Sequence, residues 1–286
     1  MSSVPSARSL LFVPGDRPDR FDKAAASGAD VVIIDLEDAV AAEDKDRARD
    51  NAAAWLALGN RAIVRINAPG TPWSEADLRV AAGHGCPVMV PKAEDCAILA
   101  DLADLADRTA GRCDLVPLVE TALGVERARE VCATPGVARA AFGNVDLATR
   151  LGVAQDDHTA LAHARSRLVV ASAAAGISPP IDGVTTAVRD MDALSADIAH
   201  ARRLGFTGKL CVHPYQLVPV TEGFAPSAEE VRWAHAVLGA GNSVTTVDGR
   251  MVDKPVLERA RRIQTLTQEP HGPHGPHGPH GPHTAS

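Results

Sequence analysis

Eight short apolar runs, each followed by a stretch of helical period, set the tightest limit on what this chain can become. The runs are SLLFV at 9–13, VVIID at 31–35, AIVRI at 62–66, PVMVP at 87–91, LVPLV at 115–119, VARAAF at 137–142, PPID at 179–182 and KLCV at 209–212. Amphipathic stretches lie near 18–27, 43–57, 74–82, 94–108, 123–133, 157–175 and 188–204, with another at 227–240. Runs this uniformly apolar suit strands covered on both faces, as in a parallel sheet wrapped by helices. Eight repeats favour an α/β fold of the closed (β/α)8 type, a TIM barrel, over an open doubly wound sheet. No G-x-G-x-x-G follows the first run, which weakens a dinucleotide-binding reading. We expect a barrel over residues 1–225 and a C-terminal helical segment or lid over 226–269. The PHG repeats of 270–286 cannot form a helix or a packed strand and predict a disordered tail.

The charge balance narrows the partners. Lys+Arg 29 against Asp+Glu 36 leaves −7, and aromatics make up 3%. An acidic chain poor in stacking rings argues against nucleic acid. No apolar run approaches the ~18 residues that span a bilayer, and the N-terminus is too short in apolar residues for a secretory signal. Five cysteines without a CxxC pair argue against zinc or a disulfide framework. Reduced thiols and a cytoplasmic location follow as the simplest expectation.

In such a barrel, chemistry collects at the C-terminal strand ends. Those ends carry Asp35-Leu36-Glu37-Asp38, Arg65, Lys92, Glu120, Asp146, Asp182 and His213. Glu120 and Asp146 close adjacent strands. Two carboxylates converging there would raise each other's pKa unless a cation lay between them, and a hard ion such as Mg²⁺ or Mn²⁺ suits carboxylate oxygens. Exposed loop carboxylates or a helix cap are the alternative. Arg65 at the end of an apolar strand would point into the mouth and hold an anion by paired hydrogen bonds; the alternative is a salt bridge to Glu37 or Asp38. Asp35, Glu37 and Asp38 would either orient metal-bound water or neutralise Lys92 and Arg65. That acidity would also keep Lys92 charged and a poor Schiff-base nucleophile. His213, before Pro214, reads foremost as a loop-fixing residue. The EDKDR run at 43–47 reads as the solvated start of a helix.

Taken together, RSLLFVPGDRPDRFDKA (8–24), VIIDLEDAV (33–40), VRIN (64–67), VPKAE (90–94), PLVETALG (117–124), FGNVDLA (142–148), GKLCVHPYQ (208–216) and DGRMVDKPVLERARR (248–262) form a pattern. By these motifs the chain resembles the HpcH/HpaI aldolase and citrate lyase β-subunit family, in its CitE-like, malyl-CoA and citramalyl-CoA lyase-like branch. The resemblance implies a TIM barrel assembled as trimers or hexamers. It implies Mg²⁺ held by residues matching Glu120 and Asp146, with Glu120 also facing the substrate. It implies Arg65 on the substrate's carboxylate and thioester oxygens. Phe12, Arg17 and Lys23 would contact the CoA moiety, and Asp253 would reach the active site of an adjacent subunit. The expected reaction is Mg²⁺-dependent cleavage of a 3-hydroxyacyl-CoA thioester to acetyl-CoA and a 2-keto acid. A citrate lyase β-like subunit working on an acyl-carrier-protein thioester and a CoA-independent class II aldolase are the alternatives.

Overall fold

The computed structural model of the protein describes residues 4–110, 113–240, 245–247 and 250–268. Every apolar run contains a strand: β1 Ser9–Pro14, β2 Val31–Asp35, β3 Ile63–Arg65, β4 Val88–Val90, β5 Leu115–Val119, β6 Arg139–Phe142, β7 Ser178–Asp182 and β8 Gly208–Cys211. They pair in chain order as one closed barrel. The closing pair, β1 with β8, is parallel like the rest. Alternation along the strands builds two cores. Leu10, Ile33, Ile63, Met89, Val116 and Leu210 point inward and fill the barrel. Leu11, Val32, Ile34, Val64, Val88 and Leu115 point outward into the layer under the helices. Both faces of each strand are thus buried, which explains runs without polar alternation.

The helices are α1 Phe21–Ala25, α2 Lys45–Ala57, α3 Ser74–Gly83, α4 Cys96–Ala110, α5 Ala122–Glu126, α6 Ala128–Ala133, α7 Asn144–Leu151, α8 Ala162–Ala175, α9 Met191–Leu204, α10 Leu217–Phe224 and α11 Ala228–Gly239. Two strands, β9 Thr245–Val247 and β10 Arg250–Val252, and α12 Lys254–Gln268 follow. The stretch expected as one helix over 123–133 is two, broken at Arg127 (φ −94°, ψ 14°). The stretch expected from 157 becomes helical only at Ala162, because Asp157 Oδ1 accepts from Thr159 N and Ala160 N and holds a turn there. The sequence reading did not foresee α7 and α10. Each is a single eight-residue element, and α7 ends on Gly152 in the left-handed region (φ 70°).

The N-terminal end of the barrel is tied off by Arg139, which is fully buried. Its Nε donates to Pro179 O at 2.7 Å, Nη1 to Val4 O at 3.0 Å and Ala7 O at 2.6 Å, and Nη2 to Thr207 Oγ1 at 2.9 Å. Arg139 thereby supplies donors to three backbone carbonyls at this end of the barrel. At the other end of the chain, α11 opens with a capping box between Ser227 and Glu230. It packs on α12 through Ala234, Val237, Leu257, Ala260 and Ile263. Arg8 Nη2 donates to Leu266 O at 2.8 Å, linking α12 to the start of β1. The expected tail over 270–286 lies outside the described residues. Cys86, Cys113, Cys132 and Cys211 are buried free thiols, and Cys96 is exposed and also free. Among the described residues no helix is long and apolar enough to cross a membrane.

Candidate active site

The C-terminal strand ends open into a cavity of about 900 Å³. Phe12, Arg17, Lys23, Asp35, Asp38, Arg65, Glu120, Asp146 and His213 are among its lining residues. Lys92 lines a smaller neighbouring cavity of about 280 Å³. Glu37 is buried between Arg65 and Lys92. Asp253 is not among the residues of the large cavity; its Oδ1 accepts from Val256 N at 3.3 Å, at the start of α12.

Glu120 lies between β5 and α5, where Thr121 caps α5 by accepting from Gly124 N at 2.9 Å. Gly124 must be small, since a Cβ there would stand 2.6 Å from Ala93 O. That contact packs α5 onto the turn at Lys92–Ala93. Lys92 has φ 50°, the only left-handed non-glycine residue among those described. The strained backbone turns the Lys92 N–H onto Glu120 Oε1 at 2.8 Å. The same turn brings Lys92 Nζ onto Glu37 Oε1. Across β6, Gly143 leaves room for the Glu120 side chain: a Cβ at 143 would stand 2.4 Å from Glu120 Cβ and 2.7 Å from Oε2. Asp146 sits in the first turn of α7, directly after β6.

Burial first, and then the charges of Glu37 and Asp146, push the Glu120 carboxyl up to about 8. The Lys92 N–H works in the opposite direction and is outweighed. A carboxylate so placed fits a cation. Among the described residues no three or more His, Cys, Asp or Glu side chains form a ready metal cage. Two carboxylates at a roomy cavity nevertheless suit Mg²⁺, which keeps several waters and takes one or two protein carboxylates rather than a full cage.

Beside this pair stands a buried ion network. Arg65 Nε and Nη2 donate to Asp35 Oδ1 and Oδ2 at 2.7 and 2.5 Å. Arg65 Nη1 lies 3.2 Å from Glu37 Oε2 and 3.9 Å from Asp38 Oδ2. Burial alone would lower the Arg65 pKa, but Asp35, Glu37 and Asp38 raise it, so the guanidinium stays charged. Its far face lies over the Phe12 ring, 4.9 Å from the centroid. The sequence predicts a salt bridge from Arg65 to Glu37 or Asp38, with Asp35 as part of a wider neutralising cluster. The main partner is Asp35, because the β2–β3 register sets Asp35 opposite Arg65. Glu37, raised chiefly by burial, is contacted by Arg65 and Lys92 on its two oxygens. Asp35, Glu37 and Lys92 thus form one connected ion network with Arg65. Asp38 is more exposed, at 58% of its side chain.

Two placements differ from the sequence expectation. Lys45, expected to be solvated, is buried; its Nζ donates to Leu36 O at 2.8 Å and Glu37 O at 2.6 Å. It pins the acidic loop from behind, and nothing in a charged run betrays that. Asp182 ends a strand as expected but faces outward, where Arg165 and Lys209 hold it. His213, by contrast, makes the expected loop-fixing contact, its Nδ1 accepting from Tyr215 N at 3.2 Å, and it also lines the cavity.

Replacing Gly143 with Ala should dislodge Glu120, since the new Cβ collides with Glu120 Cβ, not merely with a flexible tip. Overpacking of this kind costs about 1–3 kcal/mol. Urea unfolding should report that loss, and an unchanged midpoint would show that the cradle has slack.

A family model, HpcH/HpaI aldolase/citrate lyase, matches residues 8–214. The chain is 38% identical over 260 residues to a citrate lyase subunit beta-like protein of Mycobacterium tuberculosis, covering 87% of this chain and 92% of that one. It is 35% identical over 274 residues to a (3S)-malyl-CoA thioesterase of Cereibacter sphaeroides, covering 91% of this chain and 94% of that one. The crystal structure of the protein CitE from M. tuberculosis in complex with magnesium, acetoacetate and coenzyme A superposes with a TM-score of 0.79 at 35% identity. That match covers 93% of this chain and 100% of the other.

Proposed function

The chain belongs to the HpcH/HpaI aldolase/citrate lyase family, and from that membership we propose that it is a Mg²⁺-dependent carbon–carbon lyase of 3-hydroxyacyl-CoA thioesters. The products would be acetyl-CoA and a 2-keto acid. The observation that carries this reading is the meeting of Glu120, Asp146 and Arg65 on one cavity at the barrel mouth. A cation and an anion are the two things such a set can hold side by side. The M. tuberculosis structure solved with magnesium and coenzyme A supports the choice of ion and of thioester.

Glu120 and Asp146 would hold the cation, with Glu120 Oε1 already committed to Lys92 N. When bound, the ion acts as a Lewis acid on oxygens at the acyl end of the substrate. Arg65 faces the negative charge that grows on the thioester oxygen as the C–C bond breaks. Its two bonds to Asp35 fix the guanidinium before substrate arrives, so no reorganisation is needed at the moment of reaction. The hydroxyl of the substrate loses a proton, the electron pair of the broken bond passes to the acetyl carbon, and that carbon takes up a proton. Asp253 of a second copy is proposed as the group that exchanges this proton, in a trimer or hexamer. Arg17, Arg20 and Lys23 at the cavity offer cationic partners to the CoA phosphates.

The thioesterase relative makes hydrolysis the second reading: water attacks the thioester carbonyl and leaves free hydroxy acid and CoA thiol. A panel of malyl-, citramalyl- and citryl-CoA with Mg²⁺ separates the two. Keto acid released without free thiol identifies the lyase; thiol released with hydroxy acid identifies the hydrolase. Turnover only with an acyl-carrier protein would point to a citrate lyase β-like subunit. No product under any of these conditions would overturn the proposal.

A further inference from the structure

On its β5 side, β6 is paired to its end, and Gly143 N donates to Val119 O at 3.0 Å; the β7 side of the helix that carries Asp146 is held differently. The ladder between β6 and β7 is irregular, and its register shifts between Arg139 and Ala141. Beyond it, one side chain takes over. Asn144, the first residue of α7, is buried at 4% exposure. Its Oδ1 accepts from Val184 N at 2.9 Å, and its Nδ2 donates to Val184 O at 3.0 Å. The side-chain amide thus pairs with both backbone groups of Val184, as a neighbouring strand would. Nδ2 also donates to Gln155 O at 3.3 Å, beyond the far end of α7. The loop that receives this amide is itself anchored. Thr185 Oγ1 donates to Asp197 Oδ2, and Gln216 Nε2 donates to Thr185 O at 2.8 Å. Gly183 is shaped to the amide: a Cβ there would stand 2.1 Å from Asn144 Oδ1.

We propose that Asn144 is the positioning residue for Asp146, hanging α7 from the loop after β7 so that the Asp146 carboxylate is set against Glu120. This rests on the reading of Glu120 and Asp146 as the cation pair. Asn144 lies at the wall of the cavity, but its amide is committed to the Val184 and Gln155 backbone; it acts through the helix, two residues before Asp146.

The test is calorimetric titration of Mg²⁺ into full-length protein without substrate, for wild type, Asn144→Ala and the milder Asn144→Ser. Groups that orient a metal ligand from behind are typically worth ~10–100-fold in metal affinity, so Asn144→Ala should weaken Mg²⁺ binding by about 10-fold or more, with Asn144→Ser between it and wild type. In activity assays the Mg²⁺ concentration for half-maximal rate should rise in step, while the rate at saturating Mg²⁺ stays within about 3-fold of wild type, the split expected of lost positioning rather than lost chemistry. Folded variants that bind Mg²⁺ within about 2-fold of wild type would overturn the inference and leave the proposed function standing. A wild-type protein that takes up no Mg²⁺ would overturn both.

Discussion

Glu120→Ala should abolish Mg²⁺-dependent turnover while leaving a folded barrel. The carboxylate contributes one of the two proposed cation contacts, and the Lewis acidity it secures is worth several kcal/mol in the transition state. At about 1.4 kcal/mol per tenfold, the rate falls on the order of 10³-fold. Stability should move the other way in metal-free protein. Burial and two neighbouring carboxylates hold the Glu120 pKa at about 8, so ionising it in the fold is unfavourable. Sign follows from linkage: a carboxyl raised in the fold takes nothing from stability below its unfolded pKa, and its penalty grows as pH climbs towards 8. Metal-free wild type should therefore unfold more easily at pH 8 than at pH 6 by more than Glu120→Ala does, and Mg²⁺ should remove that difference. Thermal unfolding at the two pH values, with chelator or Mg²⁺, measures it. A variant that still cleaves at wild-type rate would place the cation elsewhere.

Asp182→Ala should have the largest effect on folding. Its carboxylate is 1% exposed and lies between two equally sealed cations, with Arg165 Nε on Oδ1 at 2.9 Å and Lys209 Nζ on Oδ2 at 3.0 Å. Burial pushes its pKa up, but Lys209 and Arg165 more than offset this and hold it below the usual carboxylate range. Removing the acid leaves two buried positive charges, with Asp197 3.8 Å from Lys209 Nζ as the remaining counterion. Breaking a buried pair in this way costs about 3–5 kcal/mol. That is a large fraction of a domain's net stability, so little folded protein should survive at 37 °C. In wild type the contribution of Asp182 is present above its unfolded pKa and is lost as pH falls through the lower folded value. Urea unfolding at neutral pH tests the size of the effect. A loss under about 1 kcal/mol would mean that water reaches the site and screens it.

Much of the barrel was legible because the demand is strong. A strand buried on both faces must be apolar throughout, and eight such runs leave few other folds. What escaped was direction and register. Asp35 and Asp182 each end an apolar run, yet one meets Arg65 at the mouth and the other turns outward to Arg165 on α8 and Lys209 on β8. Sequence spacing gives the end of a strand, not the face its last residue takes. The Arg65 partner escaped for a related reason: pairing across β2 and β3 is set by barrel stagger, which no single strand records. Helix α7 escaped because it is short, with no side-chain cap on Gly143 to mark its start. Its anchor, Asn144, lay inside a motif whose Asp drew attention instead. Lys45 escaped because a lysine among acids reads as solvated until the carbonyls of Leu36 and Glu37 appear behind it.

The Arg139 knot has a consequence for how the molecule comes into being. Its acceptors include Val4 and Ala7 near one extreme of the chain and Thr207 some two hundred residues later. Joining points so far apart in sequence is entropically late work. A nascent chain halted before Thr207 therefore lacks one of the four acceptors that Arg139 meets in the finished fold. The ring is drawn shut from its first residues only after its last stave has been made.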